Sequence, residues 1–319
     1  MTFGPRPFFT IDLPGSRSLR LGERPLVMGA INVTPDSFSH GSIDSPSRSI
    51  DSPSRSIDSP SPSMESVPPS IPSPLDSEQA VEAAMRMEAD GADLIDVGAE
   101  STRPGAEPVS AAEELRRLMP VVERLAPRLR VPLSIDTSKA DVAAAALDAG
   151  AAIINDISGL RYEPALAAVV SRGGAALILM HMRGRPAAMY GEARYTDLIG
   201  EVAQELRDSI ATAIGAGVPV DRLIVDPGIG FAKHAAHSYG VLARLSELAV
   251  ALGRPVLVGP SRKSFLREAS GGRPPAERDW PTAAAVTAAV LAGAHIVRVH
   301  AVPEMVQVVR AAEAIRRSA

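Results

Sequence analysis

The sequence predicts a (β/α)8 barrel, because short runs of β-branched and aliphatic residues alternate with longer Ala- and Leu-rich stretches of helical period. Eight such runs occur in the 319-residue chain, and several of the stretches between them end in Gly, as helix C-termini do. A doubly wound open sheet is the main alternative. That fold usually has a Gly-rich phosphate loop after its first strand, and this sequence has none there.

The predicted elements follow one another in a simple order. FFTIDL and SLRLG, within residues 8–22, predict a hairpin that closes the bottom of the barrel, so we assign residues 1–25 to the hairpin and 26–319 to the barrel. The predicted barrel strands are 26–33, 94–97, 132–136, 152–156, 175–180, 223–226, 255–259 and 295–299. Helices predicted between them include 77–91, 110–126, 139–150, 196–217 and 238–253.

A repeat interrupts the first loop of the predicted barrel. SIDSPSR occurs three times in succession over residues 42–62, with Pro for Arg at the end of the last copy. The repeat has no apolar face of period 2 or 3.6, so we expect an insert over residues 41–75 that is disordered or loosely ordered. Such an insert adds little closure entropy. A replication-slippage expansion that the fold tolerates is favoured over a functional flap.

The composition excludes several classes of function. The net charge of −4 and the pI of about 5.9 give no electrostatic case for nucleic acid as a partner. The chain has no Cys, which excludes disulfides and thiolate metal sites. Because no stretch resembles a signal peptide or a membrane span, we expect a cytoplasmic protein that binds no membrane.

The rare polar residues of this chain fall at the ends of the predicted strands. Only three of the 33 basic residues are Lys, and only two residues are Asn. All five lie at or just beyond a strand end: Asn32, Lys139, Asn155, Lys233 and Lys263. Other polar residues at these ends include Asp96, Glu100, Thr102, Arg103, Asp136, His181, Asp226, Ser264, Arg298 and His300. Since the C-terminal strand ends of a barrel meet at one mouth, these side chains predict a ligand site there.

The residue types suggest what this mouth binds. Asp136, Asn155 and Asp226 offer acceptors and one amide, which suit a flat heterocycle with an amidine-like donor edge. Arg298 and His300 suit a phosphate or carboxylate. For Lys139 and Lys233 we favour a solvated position without a role, and for Met180 packing. His181 is equally compatible with a core position and with the site.

Eight segments resemble the signature segments of the dihydropteroate synthase family and occur in the same order. They are MGAINVTPDSFS (28–39), LIDVGAESTRPGA (94–106), SIDTSKADV (134–142), IINDISG (153–159), LMHMRG (179–184), LIVDPGIGFAKH (223–234), VGPSRKSFL (258–266) and AHIVRVH (294–300). The resemblance implies a homodimeric pterin-binding barrel of the folate pathway that is a target of sulfonamides. The implied reaction joins 7,8-dihydropterin-6-ylmethyl diphosphate to 4-aminobenzoate and releases diphosphate and 7,8-dihydropteroate.

The resemblance also implies roles for individual residues. Asp136, Asn155, Asp226 and Lys263 would hold the pterin edge, and Met180 and Phe231 would wall its faces. Asn32, Arg298 and His300 would hold diphosphate, with Mg²⁺ on Asn32. Thr102 and Arg103 would close over the substrates. Ser264, at the N-terminus of a helix after the seventh strand, would receive the aminobenzoate carboxylate. Of these, Asp136, Lys263, Arg298 and His300 are the residues expected to act in catalysis.

Four positions depart from the family pattern. His40 replaces an acidic residue in DSFSHGS, Ala99 replaces a Gly, FAKH replaces FGK followed by Asn, and Ala301 replaces a common Asp. A pterin-binding paralogue with weak or no synthase activity is therefore one alternative. A methyltetrahydrofolate-dependent methyltransferase is another, although it would have no diphosphate for TPDSFS, STRPG and SRKS to bind.

Overall fold

Eight parallel strands form the centre of the molecule, and the predicted (β/α)8 barrel is confirmed. The computed structural model describes residues 3–4, 6–33, 74–103 and 105–319. Two hairpin strands come first, β1 (Phe9–Leu13) and β2 (Arg17–Leu21). The barrel strands are β3 (Leu26–Asn32), β4 (Leu94–Gly98), β5 (Leu133–Asp136), β6 (Ile153–Asp156), β7 (Ala176–Met180), β8 (Leu223–Asp226), β9 (Leu257–Val258) and β10 (Ile296–Val299).

The strands pair in the order β8-β7-β6-β5-β4-β3-β10-β9, and every pair is parallel. The barrel closes between β8 and β9 through one bridge, Val225 to Val256, where the Val225 amide donates to the Pro255 carbonyl at 3.0 Å. The regular part of β9 is shorter than the predicted strand 255–259. Pro255 has no N–H to donate to a ladder, which limits pairing at that edge.

Helices cover the outside of the barrel. They are α1 (Pro74–Ala89), α2 (Ala111–Leu125), α3 (Ala140–Asp148), α4 (Ala165–Gly173), α5 (Leu198–Gly215), α6 (Ala235–Ala243), α7 (Leu245–Leu252), α8 (Asp279–Leu291) and α9 (Val302–Arg317). The prediction of one helix over 238–253 was wrong. Arg244, at φ −113° and ψ 22°, leaves the helical conformation and separates α6 from α7. In the part of the chain that the structure describes, no helix is long and apolar enough to cross a membrane.

The hairpin closes the bottom of the barrel. Ile11 and Leu21 are fully buried and pack with residues that begin barrel strands, among them Leu26, Leu94 and Ile296. The alternation of buried and exposed residues along β1 and β2 places one apolar face of the hairpin on the strand ends. The opposite end, where the strands finish, therefore remains open for a site.

The repeat at 42–62 and His40 lie outside the described residues. The description stops after Val33, just past β3, and resumes with α1 at Pro74. Helix α1 thus begins inside the predicted insert 41–75. The expected disorder of that insert stays a prediction. The assignment of residues 1–25 and 26–319 to separate units also stays a prediction.

Candidate active site

A network of charged and polar side chains links four strands at the mouth of the barrel: β4, β5, β6 and, beyond β3, β10. Arg298 on β10 donates from Nε to Asp96 at 2.6 Å and from Nη2 to Asp136 at 3.1 Å. Asp96 also accepts from the Ser134 hydroxyl at 2.6 Å and from the Asn155 amide at 3.1 Å. The carboxylates of β4 and β5 are thereby joined to the guanidinium of β10.

Sequence reasoning placed Asp96 at a strand end but gave it no role, although it is fully buried at the centre of this network. A signal was available. A carboxylate inside the apolar run LIDVG must be paired when it is buried, and the alternation of a barrel strand directs it to the interior.

Asp136 sits in an environment that opposes its charge. Burial raises the pKa of Asp136 to about 7, Arg298 acts in the opposite direction, and nearby Asp96 raises it further. The Asp136 carboxyl therefore titrates near neutrality, where a small change in its surroundings alters its charge.

A second charged group lies across the mouth. Lys263, just after β9, donates to the Ile229 carbonyl at 2.6 Å, and its ammonium lies 4.3 Å from the centroid of the Phe231 ring. Burial lowers the pKa of Lys263 to about 8, against the attraction of Asp226. Burial likewise raises the pKa of Asp226, and Lys263 opposes that shift most strongly. The structure thus brings four side chains close enough to influence the pKa values of one another. We call them the charged group: Asp136, Asp226, Lys263 and Arg298.

The mouth has an apolar side as well. Met180 and Phe231 are buried in one cluster with Met182, Met189 and Ala232. The cluster lies beside the charged group, because Phe231 contacts the Lys263 ammonium and Asp226 pairs with Met180 in the sheet. A flat ring could lie between them, with its edge toward the carboxylates and its faces against apolar side chains.

His300 is held as a neutral imidazole. Its Nδ1 lies 3.0 Å from the Ser261 hydroxyl, which also accepts from the His300 backbone amide at 3.2 Å. Burial lowers the pKa of His300 to about 3, and the charges of Arg298 and Arg262 contribute. Arg262 is itself paired with Asp279 through two bonds of 2.8 Å. Positive charge at this side therefore comes mainly from Arg298.

Ser264 begins a 3₁₀ helix of three residues rather than an α-helix. Ser264–Leu266 form a short 3₁₀ turn, and the next α-helix begins only at Asp279. The intervening residues contain two Gly and two Pro, which disfavour regular helix. The exposed Ser264 hydroxyl is instead 2.7 Å from the hydroxyl of Tyr190.

Thr102 lies beside the charged group rather than in it. It lines a cavity of about 250 Å³ with Glu100, Ser138 and Tyr162, among others. Arg103 is exposed. Asn32 ends β3 in the row of the sheet that continues through Gly98 and Asp136 to Asn155. Asn32 thus lies in the same row of the sheet as Asp136 and Asn155, two of the residues expected to bind the pterin edge.

Two lysines that we predicted to be solvated are not. Lys139 is bonded to Glu100 and, at 2.5 Å, to the fully buried Glu114. Lys233 is only 1% exposed, and its ammonium contacts His181 Nδ1 at 2.8 Å. The prediction failed because the partners of both lysines come from other segments, Glu100 and Glu114 for Lys139 and His181 for Lys233, and local sequence does not reveal them.

Comparison with known proteins agrees with this geometry. The family model for pterin binding enzymes matches residues 72–300. Dihydropteroate synthase of Synechocystis sp. is 42% identical over 311 residues, covering 97% of this chain and 97% of that protein. The structure of Yersinia pestis dihydropteroate synthase with a sulfonamide drug superposes with a TM-score of 0.81 at 40% identity, covering 98% of this chain and all of that one.

The Xanthomonas albilineans enzyme in complex with 7,8-dihydropteroate superposes with a TM-score of 0.77 at 36% identity, covering 96% of this chain and 98% of that one. Identity at this level over nearly the whole length, together with the matched barrel, places the chain in the dihydropteroate synthase family of pterin-binding enzymes.

Proposed function

We propose that this protein is a dihydropteroate synthase of folate synthesis, an enzyme that transfers a pterin-methyl group to the amine of 4-aminobenzoate. One observation carries the proposal. Four charged residues converge on one mouth beside an apolar wall: Asp136, Asp226 and Arg298 on three different strands, and Lys263 after a fourth. That combination suits a flat, donor-rich ring that carries an anionic leaving group.

The pterin ring is proposed to bind with its edge toward Asp136, Asn155, Asp226 and Lys263. Ionised carboxylates accept from the amidine-like N–H groups of the ring, and the Lys263 ammonium donates to a ring oxygen or nitrogen. Met180 and Phe231 then cover the faces of the ring, since both belong to the apolar cluster beside these groups.

The diphosphate is proposed to lie toward Asn32, Arg298 and His300. Two N–H groups of Arg298 are used by Asp96 and Asp136, and a guanidinium has five, so Arg298 has the capacity to bind an anion as well. Neutral His300 contributes a hydrogen bond rather than a charge.

Mg²⁺ is proposed to accompany the diphosphate. Among the described residues, no group of three or more His, Asp or Glu could hold a metal ion. The Asn32 amide oxygen fits as a single protein ligand, because Mg²⁺ commonly takes its other ligands from substrate phosphates and water. When bound, Mg²⁺ would neutralise charge that develops on the leaving diphosphate.

The chemical step needs positioning more than proton transfer. Arg298 stabilises negative charge on the departing diphosphate, while Asp136 and Asp226 offset positive charge on the pterin-methyl group. The arylamine then attacks the methylene carbon, and the N–C bond forms as the C–O bond to diphosphate breaks or after it has broken. The amine loses its proton to water, so no strong general base is required. Ser264 is proposed to receive the aminobenzoate carboxylate, and Thr102 and Arg103 to close over the substrates.

Incubation of the pure protein with the pterin diphosphate, 4-aminobenzoate and Mg²⁺ tests the proposal. We expect dihydropteroate and diphosphate in equal amounts. Pterin binding without turnover would instead identify a binding paralogue, and methyl transfer from methyltetrahydrofolate a methyltransferase. Two further properties are part of the proposal: a homodimer, which the family resemblance implies, and a cytoplasmic location, which the sequence predicts because no stretch resembles a signal peptide or a membrane span. Sedimentation analysis of the purified chain tests the dimer.

A further inference from the structure

Lys233 is an unusual residue in this molecule, because a lysine is rarely buried without a carboxylate to pair with. Its side chain is 1% exposed. Its hydrogen-bond partners are the neutral groups His181 Nδ1, at 2.8 Å, and the Phe231 carbonyl, at 3.3 Å. Burial lowers the pKa of Lys233 to about 7, because desolvation disfavours the charged ammonium.

The partners of Lys233 are themselves held in place. Burial lowers the pKa of His181 to about 3, so its imidazole is neutral and Nδ1 can accept from the ammonium. His181 follows β7, and its backbone amide donates to the Asp226 carbonyl at 2.8 Å. On its other side, His181 Nε2 lies 3.3 Å from Glu205 of α5, which is also bonded to Arg161 and Arg183.

The loop that Lys233 ends has a backbone that needs such support. Gly228, Gly230 and Ala232 have φ of 68°, 79° and 45°, and the last of these is disfavoured for a residue with a Cβ. Gly228 is tightly enclosed, because a Cβ there would lie 2.0 Å from the His181 carbonyl oxygen.

Two groups of this loop face Lys263. The Ile229 carbonyl accepts from its ammonium, and the Phe231 ring lies under it. The loop is anchored by Lys233 on the Phe231 carbonyl, and by the Tyr195 hydroxyl, which donates to the Ala232 carbonyl at 3.0 Å. Movement of the Phe231 carbonyl would therefore displace both the Phe231 ring and the Ile229 carbonyl, and these two groups position the Lys263 ammonium.

We propose that Lys233 is a positioning residue for pterin recognition: its buried ammonium ties His181, at the end of β7, to the Phe231 carbonyl, and so fixes the Phe231 ring and the Ile229 carbonyl around Lys263. Lys233 does not touch the substrate itself. This inference rests on the proposed function only in taking the mouth to be a pterin site.

The test uses Lys233→Met, which removes the donors of the side chain and shortens it by only one atom. Calorimetric titration with pterin-6-carboxylate, a pterin ring without diphosphate, is expected to show affinity reduced about tenfold or more. In the synthase assay, KM for the pterin diphosphate should rise more than kcat falls. Lys139→Met is the matched control: it removes an ammonium that is bonded to Glu100 and to Glu114 of α2, away from the Lys263 loop, and it should lower stability without changing affinity for the probe.

A double-mutant cycle identifies the route of the effect. If Lys233 acts through the loop, Phe231→Leu should weaken probe binding much less in the Lys233→Met protein than in the wild type. Additive effects, or unchanged affinity in Lys233→Met, would overturn the inference.

If Lys233→Met does not fold, Lys233→Gln replaces it, because Gln keeps a donor on a shorter side chain. This variant is expected to lose part of the affinity for the probe, and full affinity would contradict the inference. Wild-type protein that binds the probe but forms no dihydropteroate would overturn the proposed synthase activity alone.

Discussion

Arg298 is the residue through which the acidic groups of the mouth are held close together. Its guanidinium bonds two carboxylates from separate strands, and one of these, Asp96, is fully buried. Without that cation, like charges so close would repel one another and take up protons. The same cation is also proposed to receive the leaving group, so one residue both assembles the site and acts in it.

Asp96→Asn should destabilise the protein markedly, because it removes the fully buried negative charge that pairs with Arg298 and alters the bond to Ser134. We expect a loss of about 3 kcal/mol in the free energy of unfolding, measured by urea denaturation. Glu82→Gln, in an exposed pair with Arg86, is the control and should leave stability unchanged. Equal effects of the two substitutions would contradict a structural role for Asp96.

Asp226→Asn should weaken pterin binding far more than it weakens folding. In the wild type, the Gly228 amide donates to Asp226 Oδ1 at 2.7 Å. An Asn side chain has the same size and an oxygen that can accept this bond, but it lacks the negative charge that attracts the N–H groups of the ring. Calorimetric titration with the pterin diphosphate would show a large loss of affinity, alongside a thermal midpoint close to that of the wild type. Unchanged affinity would show that the pterin edge binds elsewhere.

At the scale of elements, the hairpin and the strand-end loops have separate tasks. The β1–β2 hairpin supplies apolar side chains to the bottom of the barrel. The loops after β7, β8 and β9 carry Tyr190, Lys233 and Lys263 to the opposite end. Stability and function are thus divided between the two ends of the same strands, as the barrel architecture allows.

Ile11→Ala should lower stability by about 2–5 kcal/mol, because it opens a cavity in the apolar bottom layer. The value of kcat should not change at a temperature where the variant remains folded. Thr10→Ala, an exposed position of the same strand, serves as the control and should leave both quantities near those of the wild type. A fall in kcat for Ile11→Ala would show that the two ends are coupled.

Deletion of residues 42–62 should leave the thermal midpoint of unfolding unchanged. The reason lies in the sequence, since the repeat has no apolar face that could be buried. Differential scanning calorimetry of the deletion protein tests this. A large fall in the midpoint would mean that the repeat contributes to folding, and the synthase assay on the same protein would show whether it serves as a flap.

At the scale of the whole molecule, the charge of the mouth is a collective property of strands far apart in sequence. Asp136, Lys263 and Arg298 influence the pKa values of one another across the barrel. Their titrations therefore belong to the group rather than to any single residue.

The dependence of kcat/KM on pH is expected to be bell-shaped, with its maximum between about pH 7 and 8. An Asp is neutral below its pKa, so activity should rise as Asp136 ionises near its pKa of about 7. A Lys loses its charge above its pKa, so activity should fall as Lys263 deprotonates near its pKa of about 8. Measurement of kcat/KM for the pterin diphosphate from pH 5.5 to 9.5 tests this. Asp136→Asn should lose the acidic limb, and a limb that persists in that variant would assign it to another group.

The amino-acid sequence alone determined the barrel and the hairpin, and it predicted a site at the open mouth. Short-range patterns carry that information: the periodicity of apolar residues defines the elements, and the polar residues at strand ends identify the open mouth. The family segments added the expected substrates. These inferences hold because each depends on neighbours along the chain.

Only the tertiary structure decided which polar groups pair, and which become buried. Asp96 and Arg298 are 202 residues apart in the chain, and Lys233 meets His181 only where the loops after β7 and β8 come together. The pairing of Lys139 with Glu114 of α2 likewise depends on the packing of separate elements. Local sequence does not specify the partner of a charged side chain, because desolvation and pairing energies arise only after the strands have assembled.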